Sequence, residues 1–414
     1  MNILVFNPGS ATLKFSLYQM PDSSDAATTP NSARVLASGI VEPIGAPQSE
    51  LRMSLATQPS ASEPVEAATM VQAVDHIIHR LRAAGGEGTR ALLPLPTIDA
   101  VGCRVVHGGA GLVTPTRVTA PMLDDLRALQ DLAPLHIPAD VAVLERVRRA
   151  LPATPLIAVF DTAFHRTLPK VAYSYALPIE ISARYGLRRY GFHGISHAYV
   201  SEQLTKHLGR GAEGTRVITC HLGSGASVCA VRDGQSIDTS MGFTPVEGLV
   251  MGTRSGDVDP GLVLYLIRTA GMTASEVDTL LNYQSGLRGL SGLNADVREL
   301  ERAEQAGDER AELALEVFAY RARKYIGAFA AALEGLDGVA FTGGIGEHSA
   351  SMRSRICRGL GFVGLRLDDE LNRVATGRVP MRISEAGGSV QVWVIPTDEE
   401  RQIAWSTYEQ CRNP

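Results

Sequence analysis

Hydrophobic positions along the chain fall into short apolar runs bounded by turn residues, and the runs come in two sets. In the first, Asn2 to Phe6 predicts a strand and Phe15 to Tyr18 opens a second, separated by Asn7-Pro8-Gly9-Ser10-Ala11-Thr12. Residues 21–34 and 43–68 are rich in Ser, Ala and Pro and predict exposed excursions between strands. A helical period covers 70–84, and a glycine-rich break follows at 85–88. Ile98 to Val106 predicts a buried strand running into His107-Gly108-Gly109. Helices are expected over Pro121–Leu132 and Ala139–Arg149, then a strand over Leu156–Phe160 that ends on Asp161.

From Val217 the pattern begins again. Val217 to Leu222 predicts a strand, Gly223-Ser224-Gly225-Ala226 a turn, and Ser227 to Val231 a returning strand before a tight Asp233-Gly234 turn. Strand, small Gly-Ser turn, strand: the two halves match, which points to an internal duplication. Ala311 to Leu333 predicts a long apolar helix, and Gly338 to Thr342 a strand running into the glycine turn Gly343-Gly344-Ile345-Gly346. A helix is expected from near Ser349, and a last strand over Val390–Ile395. Thr397-Asp398-Glu399-Glu400 then has capping-box spacing before a C-terminal helix.

One stretch fits neither period. Asp238 to Gly261, DTSMGFTPVEGLVMGTRSGDVDPG, is too apolar for a disordered segment, and ordered loops of this length are usually functional. It ends in Arg254, Asp257 and Asp259, which suits either an anion site or a covered loop with a surface ion pair.

Composition narrows the class. The chain has 414 residues, 45% hydrophobic and 20% charged, as in an ordinary globular protein large enough for two or three domains. A formal charge of −5 argues against a nucleic-acid surface. The start, MNILVFNPGS, is no signal peptide, and no apolar run reaches membrane-spanning length. The cysteine count of 5 is odd and contains no CxxC pair, which predicts a reduced, cytoplasmic protein.

The candidate chemistry sits at the turns. Glycines in Gly9-Ser10, Gly223-Ser224-Gly225 and Gly343-Gly344-Ile345-Gly346 let backbone N–H groups approach a phosphate, and Ser10, Thr12 and Ser224 add donors. Any one of these turns is also an ordinary hairpin; none is a P-loop, and the first two lie between strands, unlike a dinucleotide fingerprint. Two in matching places, with Asn7 and Lys14 flanking the first, favour phosphate. In RRYGFHGISH, His193 and His197 lack the glutamate of a zinc helix; Ser196 is expected to cap a helix, His193 to stand before its positive end, and His197 to be a bonded core histidine. Arg104 lies in an apolar strand and needs an ion pair or a ligand. Asp161 and Glu399 are carboxylates suited to a hard cation.

The motifs NPGSATLKFSLY, CRVVHGG, APLHIP, VFDTAFH, RYGFHGISH, HLGSGAS, FTGGIGEHS and IPTDEE, with the 238–261 block, occur in the order found in acetate kinases, so the chain resembles that family from residue 2 to 405. The resemblance implies an α/β fold: a duplicated ribonuclease-H-like, actin-like ATPase with two domains and a cleft between them. An acyl and phosphate-side domain would hold 1–160 plus 397–414; a nucleotide-binding and dimerisation domain would hold 161–396. It implies reversible transfer of the γ-phosphoryl of ATP to acetate, giving acetyl phosphate and ADP, with Mg²⁺ (or Mn²⁺), in a homodimer. By motif match, Arg104 and Arg254 flank the carboxylate and the phosphoryl, His193 stabilises that phosphoryl, and His136 assists. Asp161 and Glu399 take the acidic, metal-linked positions, Asn7 joining Glu399 at the metal. Asn7, Ser10, Thr12 and Lys14 match one phosphate turn, and His221, Gly223, Ser224 and Gly225 the other. Asp296, Val297 and Arg298, with Gly343, Gly344, Ile345 and Gly346, fall where the family holds adenosine. Val106, Leu135, Phe192 and Pro245 match the pocket for the acyl methyl. Departures lie around the phosphates: Ala11 and Thr12 where serines are usual, Ser224 and His348 where asparagines are usual, and Ile137 after His136.

These residue types suit the reaction. Acetate is already ionised at neutral pH, so its oxygen needs no general base. Phosphoryl transfer asks for alignment and for charge stabilisation on three equatorial oxygens, which arginines and a histidine supply. A propionate or butyrate kinase is the near alternative, and a catalytically silent actin-like nucleotide-binding module the distant one. Arg104, His193 and Arg254 speak against the silent module, because a nucleotide switch needs no clamp for a second anion.

Overall fold

The computed structural model describes residues 1–412 apart from 22–29, 57, 85–96 and 135. The chain forms two compact units, one of Met1–Ala163 with the residues from Asp398 onward, the other of Phe164–Thr397.

The first unit is built on strands β1 Asn2–Pro8, β2 Leu13–Gln19, β3 Arg34–Glu42, β4 Ser49–Leu55, β5 Gln58–Val65, β6 Ala100–Val105, β7 Thr116–Arg117 and β8 Leu156–Phe160. They lie in the order β5-β4-β3-β2-β1-β6-β8-β7. The β1–β2 pair is an antiparallel hairpin, whereas β1–β6 and β6–β8 are parallel. Strands paired in parallel at the middle of a sheet are covered on both faces, which is why ILVF of β1 is an unbroken apolar run; Ile3, Leu4, Val5 and Phe6 are all fully buried. Leu4 and Phe6 share one core with residues of the helices Met70–Ala84, Ala120–Ala128 and Ile137–Ala150. On the opposite face, Gly102 leaves room for Ile403 and Thr407 of the C-terminal helix Glu399–Arg412.

The expected excursion at 43–68 is instead mostly sheet. In SELRMSL, Ser49, Leu51 and Met53 turn inward while Glu50 and Arg52 face out; this period-two alternation, not the Ser/Ala/Pro composition, decided the local structure. Of the excursion at 21–34, residues 22–29 lie outside the described residues, as does the break at 85–88.

The second unit has strands β9 Arg216–Leu222, β10 Ala226–Arg232, β11 Gln235–Thr239, β12 Gly338–Thr342, β13 Met381–Arg382 and β14 Gln391–Val394, ordered β11-β10-β9-β12-β14-β13. Here β9–β10 is antiparallel, and β9–β12 and β12–β14 are parallel. The run β11-β10-β9-β12-β14 therefore repeats β3-β2-β1-β6-β8 in order and direction. The helix Gly194–His207 packs on β9 and β12, and the long helix Glu309–Ala332 on β9 and β10. That long helix turns Leu315, Phe318 and Ile326 into its own unit's core. The third glycine turn is in fact a short helix, Gly343–His348, continuing directly from β12. Asp398, not Thr397, begins the C-terminal helix: its Oδ1 accepts from Arg401 N at 3.0 Å. Among the described residues no helix is long and apolar enough to cross a membrane.

Candidate functional site

In the first unit, strand ends deliver the polar groups. Arg104 is the next-to-last residue of β6 and Asp161 the first after β8, so the parallel pairing of those strands sets them side by side. Arg104 Nη2 donates to Asp161 Oδ2 at 2.8 Å and Nη1 to the Pro8 carbonyl at the end of β1 at 2.6 Å. Burial alone would favour loss of the guanidinium's proton; Asp161, with Glu399 behind it, more than offsets this and raises the pKa. Nε is buried without a hydrogen-bond partner among the described residues.

Asn7, at the end of β1, donates through Nδ2 to Glu399 Oε2 at 2.9 Å and Glu400 Oε1 at 2.7 Å. One amide thus gathers two carboxylates at the start of the C-terminal helix. Burial raises the Glu400 pKa and Glu399 adds to it, while Lys14 opposes the shift. Ser10 is exposed, and the turn carrying it is closed by Gly9 N donating to Thr12 O at 2.8 Å.

Behind this cluster lies a carboxyl that sequence reading passed over. Asp140 is 3% exposed in the first turn of helix Ile137–Ala150, and its Oδ2 accepts from Val106 N at 2.9 Å. Burial pushes its pKa up to about 7 against the opposing pull of that hydrogen bond and of Arg104. His136 occupies the N-cap position of the same helix. Val106 is buried at 6% exposure, while Leu135 lies outside the described residues.

The second unit gathers a second set. His193 has φ 57°, a left-handed conformation that costs a non-glycine residue free energy unless its surroundings impose it. It stands at the N-cap of helix Gly194–His207. Ser196 therefore lies inside the helix rather than capping it, and its hydroxyl bonds His221 Nδ1 and Thr397 Oγ1, each at 2.8 Å. The His193 ring stacks on His221 with centroids 4.3 Å apart, and its Nδ1 lies 2.9 Å from Ser227 Oγ. His197 is the bonded core histidine expected, between Thr219 and Ser227.

Loop 240–259 has no helix or strand but is tied down at several points. Gly252 N donates to Ser224 O at 3.0 Å, and Gly252 sits against Ala295 and Ser224 with little space for a side chain. Asp257 accepts from Gly248 N at 2.8 Å and pairs with Arg321; Asp259 caps the helix Pro260–Arg268. Both acidic residues hold the loop, and neither ion-pairs with Arg254. The Arg254 guanidinium has Met251 Sδ at 3.7 Å and no carboxylate partner among the described residues; burial lowers its pKa, with Tyr283 opposing.

Gly225 shows where these groups point. A Cβ there would stand 3.3 Å from His193 Nε2 and 3.5 Å from Arg254 Nη1. The missing side chain leaves a space on which a histidine nitrogen and an unpaired guanidinium converge, beside the Gly223–Gly225 turn. A compact anion is what such a space accepts.

The other second-unit residues fall around that turn. Gly344 N lies 4.0 Å from a Cβ placed on Gly223. Ala295, adjacent to Asp296, touches Gly252. Asp296 caps helix Val297–Gln305 and pairs with the exposed Arg298, while Val297 is buried. Ser349 Oγ donates to Glu301 at 2.7 Å, tying this helix to the end of Gly343–His348. Glu347, unmarked in the sequence, accepts from Gly343 N at 2.9 Å and Thr397 N at 3.1 Å, fixing the start of the glycine helix. Phe192 is buried at 2% exposure and Pro245 is half-buried in the loop.

Comparison with known proteins follows the same lines. The profile of the acetokinase family matches residues 2–405. The chain is 45% identical to the acetate kinase of Heliobacterium modesticaldum, covering 99% of each, and 44% identical to that of Bacillus subtilis, covering 97% of each. Its fold matches the crystal structure of Porphyromonas gingivalis acetate kinase with a TM-score of 0.86 at 39% identity, covering 99% of both chains. A propionate kinase from Francisella tularensis matches at 0.87 and 36%, again covering 99% of both. With its repeated strand order, the chain has a duplicated α/β fold, and it belongs to the acetokinase family.

Proposed function

We propose that the protein moves the γ-phosphoryl group of ATP reversibly onto acetate, giving acetyl phosphate and ADP in one in-line displacement. The observation that carries this is Arg254: a half-buried guanidinium, without a carboxylate partner among the described residues, converging with His193 Nε2 over Gly225. An uncompensated cation in that setting is worth its desolvation only if an anion arrives.

An acetate oxygen forms the new P–O bond as the bond from phosphorus to the β-phosphate oxygen breaks, and that electron pair leaves with ADP. Arg254 and His193 meet the charge spread over the equatorial oxygens, a contribution of roughly 10³–10⁵ in rate for an arginine so placed. Arg104, aimed by Asp161, is the residue the family motifs assign to the acetate carboxylate, with His136 assisting, and the same motifs assign Val106, Leu135, Phe192 and Pro245 to its methyl. The Gly223–Gly225 turn with Ser224 and His221, and the Asn7–Lys14 turn, take the phosphates. Asp296, Val297 and Arg298, with Gly343–Gly346, take the adenosine.

Magnesium typically keeps its waters and binds one or two carboxylates plus substrate phosphates. Glu399 and Glu400 drawn together by Asn7 fit that demand. Mg²⁺ (or Mn²⁺) bound through Glu399 would neutralise charge on the β- and γ-phosphates. Asn7 spends its amide donors on the glutamates, so its part is to hold them.

A homodimer belongs to the same reading. The long helix Glu309–Ala332 buries Leu315, Phe318 and Ile326 but exposes Leu313 and Tyr320, and helix Pro260–Arg268 exposes Leu262, Leu264 and Tyr265; such apolar surface suits a second copy. Five free thiols, four of them buried, accord with a reducing cytoplasm.

Hydroxylamine trapping of the acyl phosphate, with ATP, Mg²⁺ and either acetate or propionate, tests the reading. Acetate is expected to be preferred by a factor within the roughly 10–200-fold that one methylene commands. A preference for propionate would reassign the substrate, and no acyl phosphate from either acid would remove the activity.

A further inference from the structure

His193 is held by a buried chain of hydrogen bonds. Its Nδ1 lies 2.9 Å from Ser227 Oγ, which lies 2.8 Å from His197 Nε2, and His197 Nδ1 lies 2.7 Å from Thr219 Oγ1. Thr219, Ser227 and His197 are each 0% exposed. Antiparallel β9 and β10 carry the two hydroxyls, and His197 sits one helical turn after His193. Burial, with His165 and His221 adding to it, holds the His197 pKa well below the ordinary value, so this imidazole is neutral and has one proton to give.

Counting protons selects the direction of the chain. In one direction Thr219 donates to His197 Nδ1, His197 Nε2–H donates to Ser227, and Ser227 donates to His193 Nδ1; every proton is used. In the other, His193 Nδ1–H donates to Ser227, Ser227 to His197, and His197 to Thr219, whose own hydroxyl proton is then left buried with no acceptor among the described residues. Stranding a buried donor disfavours that arrangement by roughly ten- to a hundred-fold.

We propose that the Thr219–His197–Ser227 chain keeps His193 neutral, with its single proton on Nε2. These are positioning residues. An imidazolium at 193 would have to donate from Nδ1 and so reverse the whole chain. The groups facing His193 agree with a neutral ring: His221 stacks on it from β9, and the Arg254 guanidinium shares the space over Gly225 from the loop, so a second cation there would meet repulsion. The role in catalysis rests on the proposed phosphoryl transfer: Nε2–H, rather than a lone pair, then faces the phosphoryl oxygens.

The test is nitrogen-15 and proton NMR of the full-length protein labelled in histidine, with the His193 signals assigned by their loss in His193→Gln, alongside kinetics. The parent protein is expected to show a proton on Nε2 and an unprotonated Nδ1 that accepts from Ser227. Ser227→Ala and the isosteric Thr219→Val are expected to raise the pH at which His193 gains a second proton by about one unit. They should lower kcat about ten-fold with little change in KM, and Thr219→Ser should behave as the parent on every measure. A parent ring protonated on Nδ1 would overturn the proposal, as would Ser227→Ala and Thr219→Val leaving that pH unmoved. A Thr219→Ser loss equal to that of Thr219→Val would do the same, because it would trace the effect to packing. Absence of acyl phosphate formation with the expected NMR result would instead count against the activity and leave the tautomer assignment standing.

Discussion

The two arginines stand in opposite electrostatic settings. Arg104 is clasped by Asp161 and the Pro8 carbonyl, and its carboxylate neighbours hold its pKa above the ordinary value. Arg254 has no carboxylate partner among the described residues, and burial drags its pKa down. A guanidinium whose charge is already balanced is suited to orientation, since a second anion gains little from it. One held unbalanced is suited to a charge that arrives during the reaction. The difference teaches that the same side chain can be a fixed post in one unit and an unbalanced charge in the other, according to what the surrounding backbone brings to it.

Removing the unbalanced arginine should have the largest effect on rate and the smallest on the fold. Arg254→Ala is expected to lower kcat for acetyl phosphate formation by roughly 10³–10⁵, with ATP still bound and Tm unchanged or higher. Near-normal turnover in this variant would dissolve the contrast.

Breaking the other pair should reverse the pattern. Asp161→Ala takes from Arg104 its only hydrogen-bonded carboxylate among the described residues and leaves Glu399 as a more distant counter-charge, so urea unfolding of the full chain should show a loss of up to about 3–5 kcal/mol. Equal stability would mean that water or another group replaces the carboxylate at no cost.

The finest probe is Asp140, behind Arg104. Its pKa in the fold is raised to about 7, so the folded state holds a proton that the unfolded chain releases near the usual aspartate value of about 3.9. Protons bound in excess by the folded state mean that stability falls as pH rises through that window, by at most about 1.4 kcal/mol per unit. Asp140→Asn keeps an acceptor for Val106 N and removes the titration, so its Tm should vary less than the parent's between about pH 5 and pH 8. Parallel Tm profiles would show that Asp140 is ionised throughout.

Much of the fold was legible because its signals are local. The apolar runs of β1, β9 and β12 and the matching Gly-Ser turns sit within a few residues of one another, and the repeat they announced reappears in the strand order. The hairpin β4–β5 was readable from Leu51 and Met53 alternating with Glu50 and Arg52, but Ser, Ala and Pro in the flanking residues masked it. Caps were misplaced by small steps, to Ser196 instead of His193 and Thr397 instead of Asp398, because several neighbouring side chains could serve and tertiary contacts chose among them. The supporting groups were illegible for a different reason. Asp140 meets Val106, Glu347 meets Thr397, and Thr219 and Ser227 meet His197 across separations in sequence that no local pattern spans. The unbalanced state of Arg254 was equally hidden, since Asp257 and Asp259 stand near it in sequence yet bond elsewhere in the structure.

The central claim is that phosphate passes directly from nucleotide to carboxylate in a site made of cations and donors, with no enzyme nucleophile between them. The stereochemical course at phosphorus tests it most directly, using ATP made chiral at the γ-phosphorus with oxygen isotopes and analysing the acetyl phosphate formed. A single in-line displacement predicts inversion of configuration, whereas net retention would require a phosphorylated enzyme intermediate and would contradict the account.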